Sequence, residues 1–333
     1  MKRIRIPGLF FMLAAIMLVT ACGKPAQSGE SGQAGQSGQT GKTTEYLLAT
    51  GGTGGTYYPL GGAIANVWNE SIDGMNVTVQ STGASVENMR LLGNKETELA
   101  ISINSIADDA FNGKDKFTAP IQNIRAIGVV YPEVVQIVTA KDSPIQSIKD
   151  LKGKRVSIGP AGSGTAVAAE QILGVFGMSP GDFQSFQDTF TDAADKLKDR
   201  NLDAAFAILS VPAANIADIA TSKDVRILPI EGPELEELTK KHPFYTPYPI
   251  PASTYKGQER EVPTVTMQAV MYGREDLPEE VVYQLTKAMY EKQSEIAKGY
   301  AIGSQIDLQK ALDGVTVPLH PGAEKFYKEK GMK

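Results

Sequence analysis

Four glycines within residues 51–55 separate a strand-like run from a helix-like run. Residues 46–49 have the apolar character of a short strand, and apolar residues between 60 and 68 recur at the spacing of one helical face. Glycine has no Cβ, so its backbone can approach a ligand closely, and a helix N-terminus carries unpaired N–H donors. The pattern therefore predicts a strand, a glycine loop and a helix, a unit that is typical of α/β proteins.

The same unit recurs about a hundred residues later in the chain. Residues 156–158 are its predicted strand, 159–164 its loop, and apolar residues from 168 to 176 its helical face. Two such units predict two α/β lobes, and the long β-rich runs at 134–140 and 264–273 are expected to cross between them. Further elements are predicted as strands at residues 75–80, 98–104 and 202–209 and as helices at 86–92 and 278–298.

Hydroxyl side chains accompany both glycine loops, Thr53 and Thr56 in the first and Ser163 and Thr165 in the second. A loop of this kind at a helix N-terminus can bind an anion, although its glycines can also serve only to make a tight turn. Neither loop has the lysine of a phosphate-binding P-loop or the third glycine of a dinucleotide fingerprint. The sequence therefore favours a carboxylate over a nucleotide, bound where the strands end.

Catalytic and metal-binding patterns match the sequence poorly. Ser163 lacks the flanking glycines of a nucleophile elbow, and the S-x-x-K match at residues 253–256 has no companion motif. His242 and His320 stand beside prolines without zinc-ligand spacing, which favours solvated or capping roles. The paired tyrosines at 57–58 fit packing and a cleft wall better than iron binding. We therefore expect no enzyme activity, no cofactor and no metal.

The N-terminus has the pattern of a bacterial lipoprotein signal. A basic segment is followed by an apolar run at residues 9–19 that is too short to span a bilayer, and small residues precede Cys22. We expect residues 1–21 to be removed and Cys22 to carry lipid; an ordinary signal peptide with an incidental cysteine is the alternative. Residues 22–44, which are rich in Gly, Ser and Gln, are expected to be a flexible tether.

The part of the chain after the tether is acidic and is expected to be soluble. The whole chain has a formal charge of −5, and the predicted signal removes three cations and no acid, so the mature part is near −8. This charge argues against nucleic acid as a partner. The length of this part of the chain, about residues 45–333, suits one large domain or two lobes.

Several motifs together resemble the TAXI class of solute receptors of TRAP transporters. They are, in order, "TGGTGGTYYPLGGAIANVWN", "STGASVENMRLL", "YPEVVQIVTAKDSPIQSIKDLKGKRVSIGPAGSGT" and "DAAFAI". The resemblance implies a two-lobed α/β fold of the periplasmic-binding-protein type II, with the ligand cleft between the lobes. On this basis we expect residues 45–140 and 264–333 to form lobe 1, residues 141–263 to form lobe 2, and the hinge to lie near 138–141 and 263–267.

The resemblance also implies a function without catalysis. A lipid-anchored extracytoplasmic receptor, expected to be a monomer, would pass glutamate, glutamine or a related small carboxylate to a TRAP membrane permease. The cleft-edge motifs contain no arginine, and Arg155 stands at the start of a strand, away from the ligand end. The predicted ligand-binding residues are Thr53, Gly54, Gly55, Thr56, Tyr57, Ser81, Thr82, Ser85, Asn104, Tyr131, Gly162, Ser163, Gly164, Thr165 and Ser210.

Two other hypotheses remain open from the sequence. The same fold could supply ligand to an ABC transporter or to a sensor histidine kinase. An extracellular α/β enzyme is disfavoured, since no pairing of a nucleophile with a base is evident in the sequence.

Overall fold

The computed structural model describes residues 43–332, which form an α/β structure built on one mixed sheet. Its strands are β1 (Thr44–Ala49), β2 (Met75–Gln80), β3 (Leu99–Ile103), β4 (Ile124–Ala140), β5 (Arg155–Ser157), β6 (Gln184–Phe186), β7 (Ala204–Leu209), β8 (Val225–Leu228), β9 (Thr246–Ile250) and β10 (Val262–Arg274). Its helices are α1 (Tyr57–Ser71), α2 (Ser85–Gly93), α3 (Asn104–Asn112), α4 (Gly164–Val175), α5 (Phe190–Lys198), α6 (Ala214–Ser222), α7 (Gly232–Lys241), α8 (Glu279–Glu291), α9 (Gln293–Gly299) and α10 (Pro321–Glu329).

The strand order is β2-β1-β3-β10-β4-β7-β5-β6, with β8 beside β4 and β9 beside β10. Each end of this order is parallel: β1 pairs with β2 and β3, and β5 pairs with β6 and β7. The two long strands β4 and β10 are antiparallel to each other and lie between these ends. Parallel strands joined by helices bring their carboxyl ends to one edge, which is where open α/β sheets bind ligands.

Strands β4 and β10 change partners part of the way along their length. From Val134 onward β4 pairs with β7, while its earlier residues pair with β10. Similarly, β10 pairs with β9 up to Thr266 and with β3 from Ala269. The two strands therefore belong to both ends of the sheet. The lobe boundaries at residues 140 and 264 and the hinge positions stay predictions.

The hydrophobic core lies in three clusters against the faces of this sheet. The side chain of Trp68 on α1 is fully buried, and its indole Nε1 donates a hydrogen bond to the Leu285 carbonyl oxygen of α8 at 2.9 Å. A buried indole is stable when its N–H has such a partner. Trp68 is thus a core residue, as its place on the apolar face of the helix predicts.

The predicted α/β class and most predicted elements are confirmed, with two differences in extent. Strand β4 begins ten residues before the predicted crossing run. The prediction started late because Pro132 resembles the start of a strand, whereas in the structure the strand continues through Pro132, which pairs with Gln268. The predicted C-terminal helix is divided at Lys292 into α8 and α9. The spacing of apolar residues along 278–298 does not by itself predict a break in the helix.

Candidate functional site

A small cavity lies where the carboxyl ends of several strands meet. One side, which we call the first wall, consists of residues 51–57, 83–85 and 103, in the loops after β1 and β2 and at the end of β3. The opposite side, the second wall, is formed by the segments 160–165, 190–191 and 208–210, most of whose residues line the cavity or the groove beside it. The cavity volume is about 30 Å³, which is room for a water molecule or two.

Eight of the predicted ligand-binding residues line this cavity. They come from the two glycine loops, the start of α2 and strand β4: Gly55, Thr56, Tyr57, Ser85, Tyr131, Ser163, Gly164 and Thr165. Thr53 and Gly54 line a neighbouring groove, together with Tyr300. Ser81, Thr82, Gly162 and Ser210 hydrogen-bond to residues of the lining segments or of the first turn of α2, and Asn104 does neither.

Three predicted polar residues make their hydrogen bonds to other parts of the protein. The Ser81 hydroxyl donates to the Gly51 carbonyl oxygen at 3.0 Å, and the Thr82 hydroxyl donates to the Asn88 Oδ1 at 2.6 Å. The Asn104 side chain donates to the Gly314 carbonyl oxygen at 3.0 Å. Ser81 and Thr82 hold the first wall in place through Gly51 and Ala84, whereas Asn104 bonds residues outside both walls.

Ser163 caps the N-terminus of α4. Its hydroxyl donates to the Pro160 carbonyl oxygen at 2.6 Å and accepts from the Ala166 N–H at 3.1 Å. Serine is a favoured N-cap because its oxygen satisfies an otherwise unpaired helix donor. The hydroxyl thus has structural partners, and neither of them is a base that could activate a nucleophile.

The two walls are joined by direct hydrogen bonds. The Gly162 carbonyl oxygen accepts from the backbone N–H groups of Val86 and Glu87, at 3.0 and 3.2 Å, in the first turn of α2. The Thr56 and Ser210 hydroxyl oxygens are 3.1 Å apart. The N-terminal donors of α2 are therefore paired across the cavity with an oxygen of the second wall.

Glycines stand where the walls approach most closely. A Cβ on Gly164 would lie 2.5 Å from Ile103 Cδ1 and 3.1 Å from Ser85 Oγ. A Cβ on Gly83 would lie 2.6 Å from the Ala161 carbonyl oxygen. At Gly83 the clash is with a backbone oxygen, so glycine is required there for the walls to meet. At Gly164 an added side chain would have to displace the buried Ile103 side chain.

Glu133 on β4 forms part of the cavity and was not predicted from the sequence. Its carboxyl oxygens accept hydrogen bonds from the hydroxyls of Tyr57, at 2.8 Å, and Tyr131, at 2.9 Å. The rings of these tyrosines pack edge to face, with centroids 6.2 Å apart. We call these three residues the carboxyl–tyrosine cluster. A single acid in the β-rich run after Pro132 is the available sequence signal.

Burial changes the proton affinity of this cluster. Glu133 is 3% exposed, and desolvation raises its pKa to about 8, although the hydrogen bonds from the two tyrosines lower it. Burial and the nearby Glu133 charge also raise the pKa values of Tyr57 and Tyr131 well above their usual range. The Glu133 carboxyl thus holds its proton at a pH where an exposed glutamate would not.

Arginine and lysine are absent from the described residues that line the cavity. Arg155 begins β5, and its guanidinium bonds Asp203 at 2.8 and 3.1 Å. The Arg155 side chain is 36% exposed, so its ion pair is well screened by solvent. The structure therefore places this arginine outside the cavity, as expected.

Arg155→Ala should leave ligand affinity within about twofold of wild type, because the guanidinium binds Asp203 and not the cavity. Its cost in stability should be about 1 kcal/mol or less, as for other partly exposed ion pairs. Calorimetric titration and urea denaturation of the variant check both values. A loss of binding beyond tenfold would mean that an arginine contacts the ligand after all.

The structure also bears on the predicted role of His320, on metal binding and on membrane-spanning helices. His320 caps α10, and its Nδ1 accepts from the Gly322 N–H at 3.2 Å, as a capping role predicts. Between residues 43 and 332, no group of three or more His, Cys, Asp or Glu side chains is arranged to hold a metal ion. Within the same range, no helix combines the length and apolar character needed to cross a membrane.

The sheet order and the position of the cavity at the carboxyl ends of the strands match a type II periplasmic-binding-protein fold, and solved structures agree. A Bordetella bronchiseptica protein is 16% identical with a TM-score of 0.53, covering 86% of this chain and 89% of that one. A putative L-cystine ABC transporter protein of Listeria monocytogenes is 13% identical with a TM-score of 0.51, covering 81% and 98%. The family model of the NMT1-like family matches residues 48–331, and the chain belongs to this family.

Proposed function

We propose that this protein is an extracytoplasmic solute-binding protein that captures a small carboxylate between the two walls and delivers it to a membrane transporter. The observation that carries the proposal is that three helices begin at the cavity: α1 at Tyr57, α2 at Ser85 and α4 at Gly164. Helix N-termini stabilise an anion through their unpaired N–H groups and dipoles. This supports binding of a carboxylate without arginine.

Ligand entry requires the walls to separate, because the cavity is smaller than any amino acid or dicarboxylate. Separation breaks the bonds from Val86 and Glu87 to the Gly162 carbonyl oxygen and frees two donors of α2. A ligand carboxylate can then take the place of that carbonyl. The walls would close again around the ligand, by bending of the strands β4 and β10 that connect them.

Saturating ligand should reduce the radius of gyration, because it holds the walls together. Small-angle X-ray scattering measures this, with the tightest-binding compound from a thermal-shift screen of amino acids and dicarboxylates. A radius that does not change under saturation would contradict closure of the walls around the ligand.

The transporter class is the finer part of the proposal. The sequence motifs support a TRAP permease of the TAXI type, which uses an ion gradient. The Listeria monocytogenes neighbour is named as a putative L-cystine ABC transporter, and this favours ABC delivery over a TRAP permease. Uptake into membrane vesicles of the native host, with the protein added, distinguishes them: ABC transport requires ATP, and TRAP transport requires a sodium or proton gradient. If ligand binding leads to no uptake but starts autophosphorylation of a histidine kinase, the sensor alternative applies.

The proposed lipid anchor at Cys22 lies outside the described residues. Cys22→Ser should move the protein from the membrane fraction to the soluble fraction and leave ligand affinity unchanged, because the tether separates Cys22 from the cavity. Fractionation after a high-salt wash, followed by titration of the soluble variant, measures both. A variant that stays with the membrane would contradict the anchor.

A further inference from the structure

We propose that Glu133 selects the ligand by binding a cationic or proton-donating group, so that the carboxylate bound between the walls is a zwitterion such as an α-amino acid and not a dicarboxylate. This inference rests on the proposed function. It adds a second point of recognition to the helix N-termini.

The Glu133 carboxyl has the hydrogen-bonding capacity for such a group. In its ionised form it offers about four acceptor sites, and the hydroxyls of Tyr57 and Tyr131 occupy one on each oxygen. Glu133 and both tyrosines line the cavity, so a ligand group bound between the walls is within reach of the carboxyl. The two tyrosines also fix the carboxyl orientation, because each oxygen is held by a separate ring.

The carboxyl has no cationic partner among the described residues. Its side-chain partners are the two tyrosine hydroxyls, and the lining of the cavity contains no lysine or arginine. A buried carboxylate without a cation is costly, and the raised pKa of Glu133, about 8, expresses that cost. An ammonium group on the ligand would supply the missing charge and favour the ionised carboxylate.

The position of Ser85 links this cluster to the carboxylate end of the site. Its hydroxyl lies 3.4 Å from the Tyr57 hydroxyl, and it is the first residue of α2. The acceptor on Glu133 and the donors of α2 are thus separated by two side chains, Tyr57 and Ser85. This close spacing suits an ammonium and a carboxylate on the same carbon atom. A second ligand carboxylate near Glu133 would meet like charge or require a proton.

The experiment compares amino acids with the same molecules lacking the amino group. Calorimetric titrations pair L-glutamate with glutarate, L-leucine with 4-methylpentanoate and L-phenylalanine with 3-phenylpropanoate. For the best-binding pair, we expect wild type to prefer the amino acid at least tenfold. Glu133→Gln should reduce that preference to threefold or less, chiefly by weakening the amino acid. The matched control Glu237→Gln removes an exposed acid of α7 and should keep the full preference.

A second measurement uses the wild-type protein alone. Titrations at pH 7 in buffers of different ionisation enthalpy should show net proton release on binding the amino acid, because the ammonium displaces the Glu133 proton. The partner without the amino group should release none. This readout holds even if Glu133→Gln does not fold.

The outcomes separate the two proposals. Equal affinity and equal proton release for both members of a pair would overturn the role of Glu133 and leave the carboxylate-binding function standing. If none of the carboxylates binds, the proposed function fails and this inference fails with it.

Discussion

Gly164→Val should weaken ligand binding about ten- to hundredfold, the equivalent of 1–3 kcal/mol of overpacking. The new side chain would collide with Ile103 and approach Ser85 Oγ, which the Ile103 backbone N–H holds in place at 3.2 Å. Both contacts belong to the first wall, whereas Gly164 belongs to the second. The substitution therefore acts against closure, and calorimetry with the best ligand of the thermal-shift screen measures the effect.

The matched control is Gly174→Val, the same change in the same helix. A Cβ at Gly174 meets nothing within 4 Å, so this variant should bind as wild type does. Small-angle scattering adds a second readout, since Gly164→Val should keep a larger radius of gyration under saturating ligand. Unchanged affinity in Gly164→Val would show that the walls need not approach as closely as in the structure.

The difference in unfolding free energy between Glu133→Gln and wild type, both without ligand, should depend on pH. It should favour the variant by on the order of 3 kcal/mol more at pH 8 than at pH 5. The pKa of Glu133 is raised from 4.5 to about 8 in the folded state. A raised acid pKa means that the folded protein holds the proton more tightly, so this stabilisation is full below pH 4.5 and is lost as the pH rises towards 8. Glutamine has no proton to lose and avoids that loss.

Urea denaturation of both proteins at several pH values tests this expectation. The difference in unfolding free energy between variant and wild type should grow steadily between pH 5 and pH 8. Glu237→Gln, an exposed substitution, should show a flat difference. A constant difference for Glu133→Gln would mean that this carboxyl is ionised in the folded protein throughout the range.

Much of the fold is predictable because its signals are local. The glycine loops and the helical periodicity after them identify both strand–loop–helix units, and α1 and α4 indeed begin at those loops. The direction of a polar side chain is not a local property. Ser81 and Asn104 stand at strand ends, where ligand donors are expected, yet their hydrogen bonds go to Gly51 and Gly314.

Glu133 was missed for a related reason. Its environment depends on Tyr57, which is 76 positions away in the sequence and reaches Glu133 only in the folded chain. The sequence shows a single acid in a β-rich run, a pattern that also fits an exposed strand residue. Only the packed structure shows that this carboxyl is buried and held by two tyrosines.

The place of Glu133 on β4 has a consequence for release of the ligand. It immediately precedes Val134, where the strand passes from one set of neighbours to the other. If Glu133 binds the ligand and β4 bends on closure, as proposed, recognition and closure share one strand. Thermodynamic reciprocity then couples them: an interaction that favours the closed form tightens binding, and one that favours the separated form weakens it by the same factor. A transporter that binds the separated form more tightly would thus lower the ligand affinity and release the ligand without contacting it.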